Sequence, residues 1–184
     1  MPVEFRDLDP NDEPLLQRLT QLSFDAAALH APNWLPTLDD ARQELDDALR
    51  GGKISRCIFE RGIPVAWGSI TPLYGKVWEI HPLLVHVEHH RRGFGKLVVR
   101  DLEAHASRKG AGVLFVSTSD ETDSTSLGGR DLFIDPIGAL ATIEHRRSAA
   151  LQFWTRMGYE IVGLIPDAEG VGKPSIHLAK RPPQ

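Results

Sequence analysis

The stretch His89-His90-Arg91-Arg92-Gly93-Phe94-Gly95-Lys96 gathers the residue types that hold a phosphate or pyrophosphate. It follows the apolar run Leu83-Leu84-Val85 and opens a segment of helical period. N–H groups at a helix N-terminus point at an anion there. Glycines admit a left-handed backbone and a close approach. The arginines and the lysine add charge. The chemistry predicted is retention of a nucleotide-like ligand. Two nucleotide motifs are excluded. Leu97 stands where a Walker A loop needs Ser or Thr, and His90 where it needs its first glycine. Val98 occupies the third glycine position of a Rossmann fingerprint.

Other chemistry-bearing residues are weaker signals. His81, His86, His89 and His90 do not lie at ligand spacing on one helix face and have no cysteine partner, so no metal is expected. Cys57 sits in an apolar, strand-like run and is predicted to be a buried structural thiol. A single cysteine excludes an internal disulfide and fits a reducing compartment, and a cytoplasmic protein is the expectation.

The elements that must position the loop follow from periodicity. Asn11-Asp12-Glu13-Pro14 starts a helix with Leu15, Leu16, Leu19 and Leu22 on one face. Thr37 to Asp40 resembles a capping box, and the helix it opens turns Leu38, Ala41, Leu45 and Leu49 inward. Ile54–Phe59 and Ile63–Ile70 form a hairpin at Arg61-Gly62. Lys76–Val87 is a long strand, broken or bulged near Pro82. A helix runs from about Gly93 to Lys109, and Val113–Ser117 is a buried strand. Ser117–Arg130 is polar. Helices over Pro136–His145 and Ser148–Met157 precede strands at Tyr159–Ile165 and Ser175–Ala179. The order is α, α, β-hairpin, β, α, β, α, β, β, a mixed α/β arrangement with a partly antiparallel sheet.

At 184 residues the chain is sized for one domain over 1–184. A hydrophobic content of 41% and a charged content of 25% are those of an ordinary soluble globule. The net charge of −4 argues against nucleic acid as the main partner and leaves room for a cationic substrate. No apolar stretch approaches the roughly 20 residues of a membrane span, and the start Met1-Pro2-Val3-Glu4-Phe5-Arg6 has no signal-peptide character.

Three segments together resemble one family. His90-Arg91-Arg92-Gly93-Phe94-Gly95 is similar to the Q/R-x-x-G-x-G/A acetyl-CoA signature of the GNAT acetyltransferases. Arg147 through Tyr159 resembles their N-x-x-A-x-x-F-Y-x-x-x-G-F/Y segment, and the element order matches theirs. The likeness is closer to the aminoglycoside 6′-N-acetyltransferases. Tyr74 through Leu83, with Trp78-Glu79-Ile80-His81-Pro82, resembles a strand of the enterococcal type, as do Thr125-Ser126-Leu127 with Asp131-Leu132-Phe133, Gly163 through Ala168, and Gly172 through Ile176. The resemblance covers residues 74–181; before that, only the element order agrees.

The resemblance implies a GNAT fold, with a mixed central sheet, a splayed acetyl-CoA-binding strand pair and flanking helices. It implies that His90, Arg91, Arg92, Gly93, Phe94, Gly95 and Lys96 hold the pyrophosphate of acetyl-CoA. Leu83, Leu84 and Val85 would pair with the pantetheine arm, with Arg147 and Trp154 also at the cofactor. Glu79 and His81, on one face of a strand, would lie beside the thioester as catalytic residues; Glu79 is the candidate base, directly or through water, the alternative being that it binds the substrate ammonium and leaves deprotonation to solvent. Trp154 departs from the family, standing where many members carry a tyrosine that protonates the leaving thiolate. An indole N–H donates a hydrogen bond but is no acid near neutral pH. Trp34, Tyr74, Glu79, Asp120, Glu121, Asp123 and Glu144 are the candidates for binding an aminoglycoside or another polycationic amine, such as a polyamine or a protein lysine. A CoA-binding module without useful catalysis is the rival from another class. The family is often dimeric, so a homodimer is expected.

Overall fold

The computed structural model describes residues 3–183; Met1, Pro2 and Gln184, the first two within the stretch read for a signal peptide, lie outside the described residues. The chain divides into two compact units. One comprises Met1–Leu29, Trp34–Leu114 and Arg181–Gln184, the other His30–Asn33 and Phe115–Lys180. No helix among the described residues is long and apolar enough to cross a membrane.

In the first unit the elements are β1 (Val3–Asp7), α1 (Glu13–His30), α2 (Leu38–Ala48), β2 (Ile54–Glu60), β3 (Ile63–Tyr74), β4 (Val77–Val85) and α3 (Phe94–Arg108). The strand order β1-β2-β3-β4 is antiparallel throughout. β1 is an addition to the sequence reading, which assigns nothing before Asn11. Half-buried Val3 and Phe5 alternate with exposed Glu4 and Arg6, the pattern of a strand with one face on a core. The β2–β3 turn has Arg61 at φ 53° and Gly62 at φ 78°, the left-handed pair that a two-residue hairpin requires.

Adjacent residues of β3 show how the sheet is covered. Trp67 is buried on the side of α1 and α2, in a cluster with Leu16, Leu19, Leu45, Cys57 and Leu84. Its indole N–H donates to Ser23 Oγ at 2.9 Å, so the buried polar atom is satisfied. Gly68 faces the opposite way, under α3. A Cβ there would lie 2.9 Å from the Pro82 carbonyl oxygen and 3.0 Å from Val98 Cγ1, so only glycine lets the strand and helix approach this closely. The β3–β4 register shifts between Gly68 and Ile70, which is the irregularity expected near Pro82; the His81–Pro82 peptide is cis.

The capping box at α2 is present in full. Thr37 Oγ1 accepts the Asp40 N–H at 3.1 Å, and the Asp40 carboxylate accepts the Thr37 N–H at 3.1 Å. Ala41 and Leu45 turn inward as expected. Leu38 does not; it is the first residue of the helix and 47% exposed, and Ala48 takes a core position instead.

β5 (Val113–Ser119) leaves the first unit, where Gly112 and Val113 donate to the Lys76 carbonyl at 2.8 and 3.1 Å. In the second unit the order is β5-β7-β6, with β6 (Glu160–Ile165) antiparallel to β7 (Ser175–Lys180). α4 (Pro136–Ala141) and α5 (Ala149–Arg156) complete it. α4 is shorter than the expected Pro136–His145. After Thr142 the chain is drawn into an antiparallel bridge between His145 and Thr125, which ends the helix. The mixed α/β class and the open sheet agree with the expectation.

Candidate functional site

The basic loop lies where β4 ends. His86 donates its N–H to the Val65 carbonyl at 2.9 Å, a 3-10 turn spans Val87–His89, and His90 Nε2 lies 2.9 Å from the Val85 carbonyl oxygen, which it serves as donor. The loop is thereby tied to the strand at both ends. Arg91 has φ 59°, and Gly93, the N-cap of α3, has φ 89° and no side-chain capping hydrogen bond. The first turn of α3 therefore presents N–H groups that no cap occupies, the arrangement an anion needs. Phe94 is buried beneath it, while Arg91 and Lys96 are exposed.

The two arginines divide their work. Arg92 Nη2 donates to Glu60 Oε1 at 2.6 Å, and its guanidinium lies 5.2 Å from the centre of the Phe94 ring. His89 Nε2 is 3.6 Å from Glu60 Oε2, and His89 Nδ1 is buried with no hydrogen-bond partner among the described residues. Burial, then the neighbouring His86 and Arg92, push the His89 pKa below its ordinary value against the pull of Glu60 and Glu88. A neutral His89 results. Glu60 was not among the residues singled out from sequence; its place at the end of a strand-like run carried no signal of a partner 32 residues on.

The second cluster stands on β4 and α2. Trp78 and Ile80 are buried, and Glu79 and His81, which alternate with them, are half-buried. His81 Nε2 lies 3.2 Å from Oε1 of Glu44, and the His81 ring is 5.3 Å from that of Trp34, tilted by 46°. Burial works against a charged His81, but the Glu44 hydrogen bond and the charges of Glu44 and Glu79 outweigh it and raise its pKa, with Lys53 opposing. Burial likewise opposes a charged Glu44, and the His81 contact, a Trp34 hydrogen bond and the Lys53 charge lower its pKa nonetheless. Trp34, Leu35, Asp40, Gln43, Glu44 and Asp47 line a small open pocket of about 170 Å³. An aromatic wall and three carboxylates suit a cationic amine. Glu44 is absent from the sequence reading, which followed α2 only for its inward apolar face.

Of the remaining predicted residues, Tyr74 is 70% exposed at the end of β3. Leu84 is buried, and Leu83 and Val85 are half-buried. In the second unit Asp120 is fully buried. Its two oxygens accept the N–H and hydroxyl of Ser124 at 2.6 and 2.8 Å and those of Thr125 at 3.1 and 2.5 Å. Glu121 is buried and accepts the Asn33 N–H at 3.0 Å. Asp123, at φ 50°, and Glu144 are exposed. Arg147 is exposed and donates its backbone N–H to the Ser124 carbonyl at 2.9 Å. Trp154 is buried, edge-on to Phe153 and Tyr159 at 5.0 and 5.1 Å. Asp120 and Trp154 thus have packing and loop-closing work in their own unit.

A model of the GNAT acetyltransferase family matches residues 16–128. No curated protein matches the chain. Among solved structures, an aminoglycoside 6′-N-acetyltransferase complexed with coenzyme A is similar at a TM-score of 0.85 and 26% identity, over 98% of each chain. The aminoglycoside 6′-N-acetyltransferase from Enterococcus faecium is similar at 0.82 and 25%, again over 98% of each. An aminoglycoside 6′-acetyltransferase type Ii shares the fold at 0.69 and 23% identity, over 98% of each chain.

Proposed function

Because the chain belongs to the GNAT acetyltransferase family, we propose that it transfers the acetyl group of acetyl-CoA to the 6′-amino group of aminoglycoside antibiotics and so gives resistance. The observation that carries this reading is the pairing of His81 on β4 with Glu44 and Trp34, two residues after Glu79 on a strand that leads into the basic loop. The full-length likeness to two aminoglycoside 6′-N-acetyltransferases supports the same acceptor.

The residues present fit acetyl-CoA. The uncapped first turn of α3, the left-handed Gly93 and exposed Arg91 and Lys96 suit its pyrophosphate. Arg92 steadies the loop through Glu60, and the Leu83–Val85 backbone is the pairing edge for the pantetheine amides. Acetyl-CoA supplies an activated thioester. A main-chain N–H near Leu83 polarises its carbonyl, and Glu79 receives the ammonium proton, directly or through water. Trp154 contributes no acid, and CoA would leave as a thiolate that takes its proton from solvent, tolerable for a thiol pKa of about 8.5. The proposed acceptor residues are Trp34, Tyr74 and Glu79 in the first unit and Glu121, Asp123 and Glu144 in the second, where Asp120 closes the loop that carries Glu121 and Asp123. Among these acids, exposed Asp123 and Glu144 are the ones available to a cation without loss of an existing bond.

The reading includes a cytoplasmic enzyme and a homodimer. The edge strand β6, with Val162 and Ile165 59% and 50% exposed, supports pairing with a second copy. The test is thiol release from acetyl-CoA with kanamycin or tobramycin, and with Glu79→Gln in parallel. Drug-dependent release that falls in the variant is expected. Release with a polyamine or a lysine peptide and none with any 6′-amino drug overturns the acceptor.

A further inference from the structure

Glu44 reaches β4 from another element, and its place defines what His81 can do. Nε2 of His81 is the nitrogen that faces the Glu44 carboxylate, at 3.2 Å. A carboxylate only accepts, so Nε2 carries a proton in either charge state of the ring. Nδ1 therefore differs between the two states. In the neutral ring it is a lone-pair acceptor, able to take a proton. In the charged ring it is an N–H donor. We propose that Glu44 is a positioning residue that holds His81 as an imidazolium against Trp34, so that Nδ1 acts as a donor at the acceptor site and the base is Glu79 alone.

The geometry supports this in three ways. Glu44 has a side chain only 18% exposed, so its charge is poorly screened by water. Trp34 packs on the imidazole at 5.3 Å and limits its swing away from Glu44. Glu79, the next-but-one residue on β4, adds a second negative field, while Lys53 is the one charge acting on the ring that opposes it. The groups that face His81 are thus Glu44 from α2, Trp34 from the preceding loop, Glu79 from β4 and Lys53 before β2. Removing the Glu44 charge leaves one carboxylate and one ammonium in balance. A neutral His81 would then place a second base beside Glu79. That the Nδ1 donor serves acetyl transfer rests on the proposed function; the state of the ring does not.

The test uses the whole protein and Glu44→Gln, a substitution of the same shape that keeps an acceptor oxygen. The His81 ring is titrated by NMR in both proteins, with His81→Gln to assign its signals. The His81 midpoint is expected to fall by about one pH unit in Glu44→Gln. The ratio of wild-type to variant kcat is then expected to rise from near one at pH 6 to as much as tenfold at pH 8.5, with the acetyl-CoA KM unchanged. Taking the ratio removes the ionisation of the amine itself. Equal midpoints overturn the proposal, and so does a shifted midpoint with a ratio that stays flat across pH. A shifted midpoint in a protein that acetylates no amine sinks the functional reading and leaves the Glu44–His81 pairing standing.

Discussion

Nη2 of Arg92 donates to Oε1 of Glu60 at 2.6 Å, so one of the two arginines in the glycine loop is committed to a carboxylate within its own unit. Its neighbour Arg91 is exposed. The two substitutions are therefore predicted to separate. Arg91→Ala lowers acetyl-CoA affinity on the order of fivefold, about 1 kcal/mol for an exposed ionic contact, and leaves stability near normal. Arg92→Ala strips the buried Glu60 carboxylate of its charged donor and costs about 1–3 kcal/mol of stability. Calorimetry with CoA and urea unfolding of both variants check this. Equal stability of the two proteins contradicts it.

Asp120 accepts four hydrogen bonds in a fully buried position, two of them from backbone N–H groups. Asp120→Ala leaves those donors without a partner and is expected to cost about 3 kcal/mol. Asp123→Asn, at an exposed position, is expected to stay within about 0.5 kcal/mol of wild type while raising the KM of a polycationic acceptor. Urea midpoints and acceptor kinetics distinguish a loop-closing carboxylate from a substrate-facing one. An Asp120→Ala protein of normal stability removes the distinction.

The Glu44–His81 pair makes stability depend on pH in a stated direction. The His81 pKa is raised in the folded protein, because Glu44 and Glu79 outweigh burial. Its contribution is fully present below the ordinary imidazole pKa of about 6.5 and is lost as pH rises through the folded value. The Glu44 pKa is lowered although burial opposes it, because His81, the Trp34 hydrogen bond and the Lys53 charge together outweigh burial. Its contribution is present above the ordinary carboxylate pKa of about 4.3 and is lost as pH falls through the folded value. Glu44→Gln is thus expected to destabilise most between about pH 5 and 6.5, and least near pH 9. Half-exposure of His81 holds the effect to about 1 kcal/mol or less. Thermal unfolding across pH reads it, and a destabilisation that grows towards pH 9 contradicts it.

Cys57 is buried between β1 and β3 on strand β2, and burial pushes its thiol up to about pKa 12. It is predicted to react with a thiol reagent only on unfolding. A native-state labelling time course that matches a small exposed thiol contradicts this. The consequence is practical, because thiol released from acetyl-CoA can be followed with such a reagent against a silent protein.

How much of this was legible in the sequence differs by residue. The capping box at Thr37 and Asp40 was, because both partners lie within one turn and their chemistry is local. So was the succession of strand end, glycine N-cap and helix start from Val85 to Phe94, because each signal is local. The short strand Val3–Asp7 is hard to read although Val3 and Phe5 alternate with Glu4 and Arg6, since five residues form a weak period. The end of α4 is not legible, because the bridge beyond it joins His145 to Thr125, a partner no local pattern announces. Glu44 and Glu60 escaped for the same reason. Each is an ordinary acid in its own segment, and its meaning comes from His81 on β4 or Arg92 on the loop. Asp120 shows the converse. An acidic run suggested a cation-binding surface, yet its first member turns inward to close its own loop.

Acetyl transfer to a 6′-amine is read directly from thiol release from acetyl-CoA by the purified protein with kanamycin or tobramycin, with mass analysis of the drug. Drug-dependent release, an acetyl group on the 6′-amine, and a strong loss of turnover in Glu79→Gln with acetyl-CoA binding retained are expected. No release with any 6′-amino aminoglycoside, or wild-type turnover in Glu79→Gln, contradicts it.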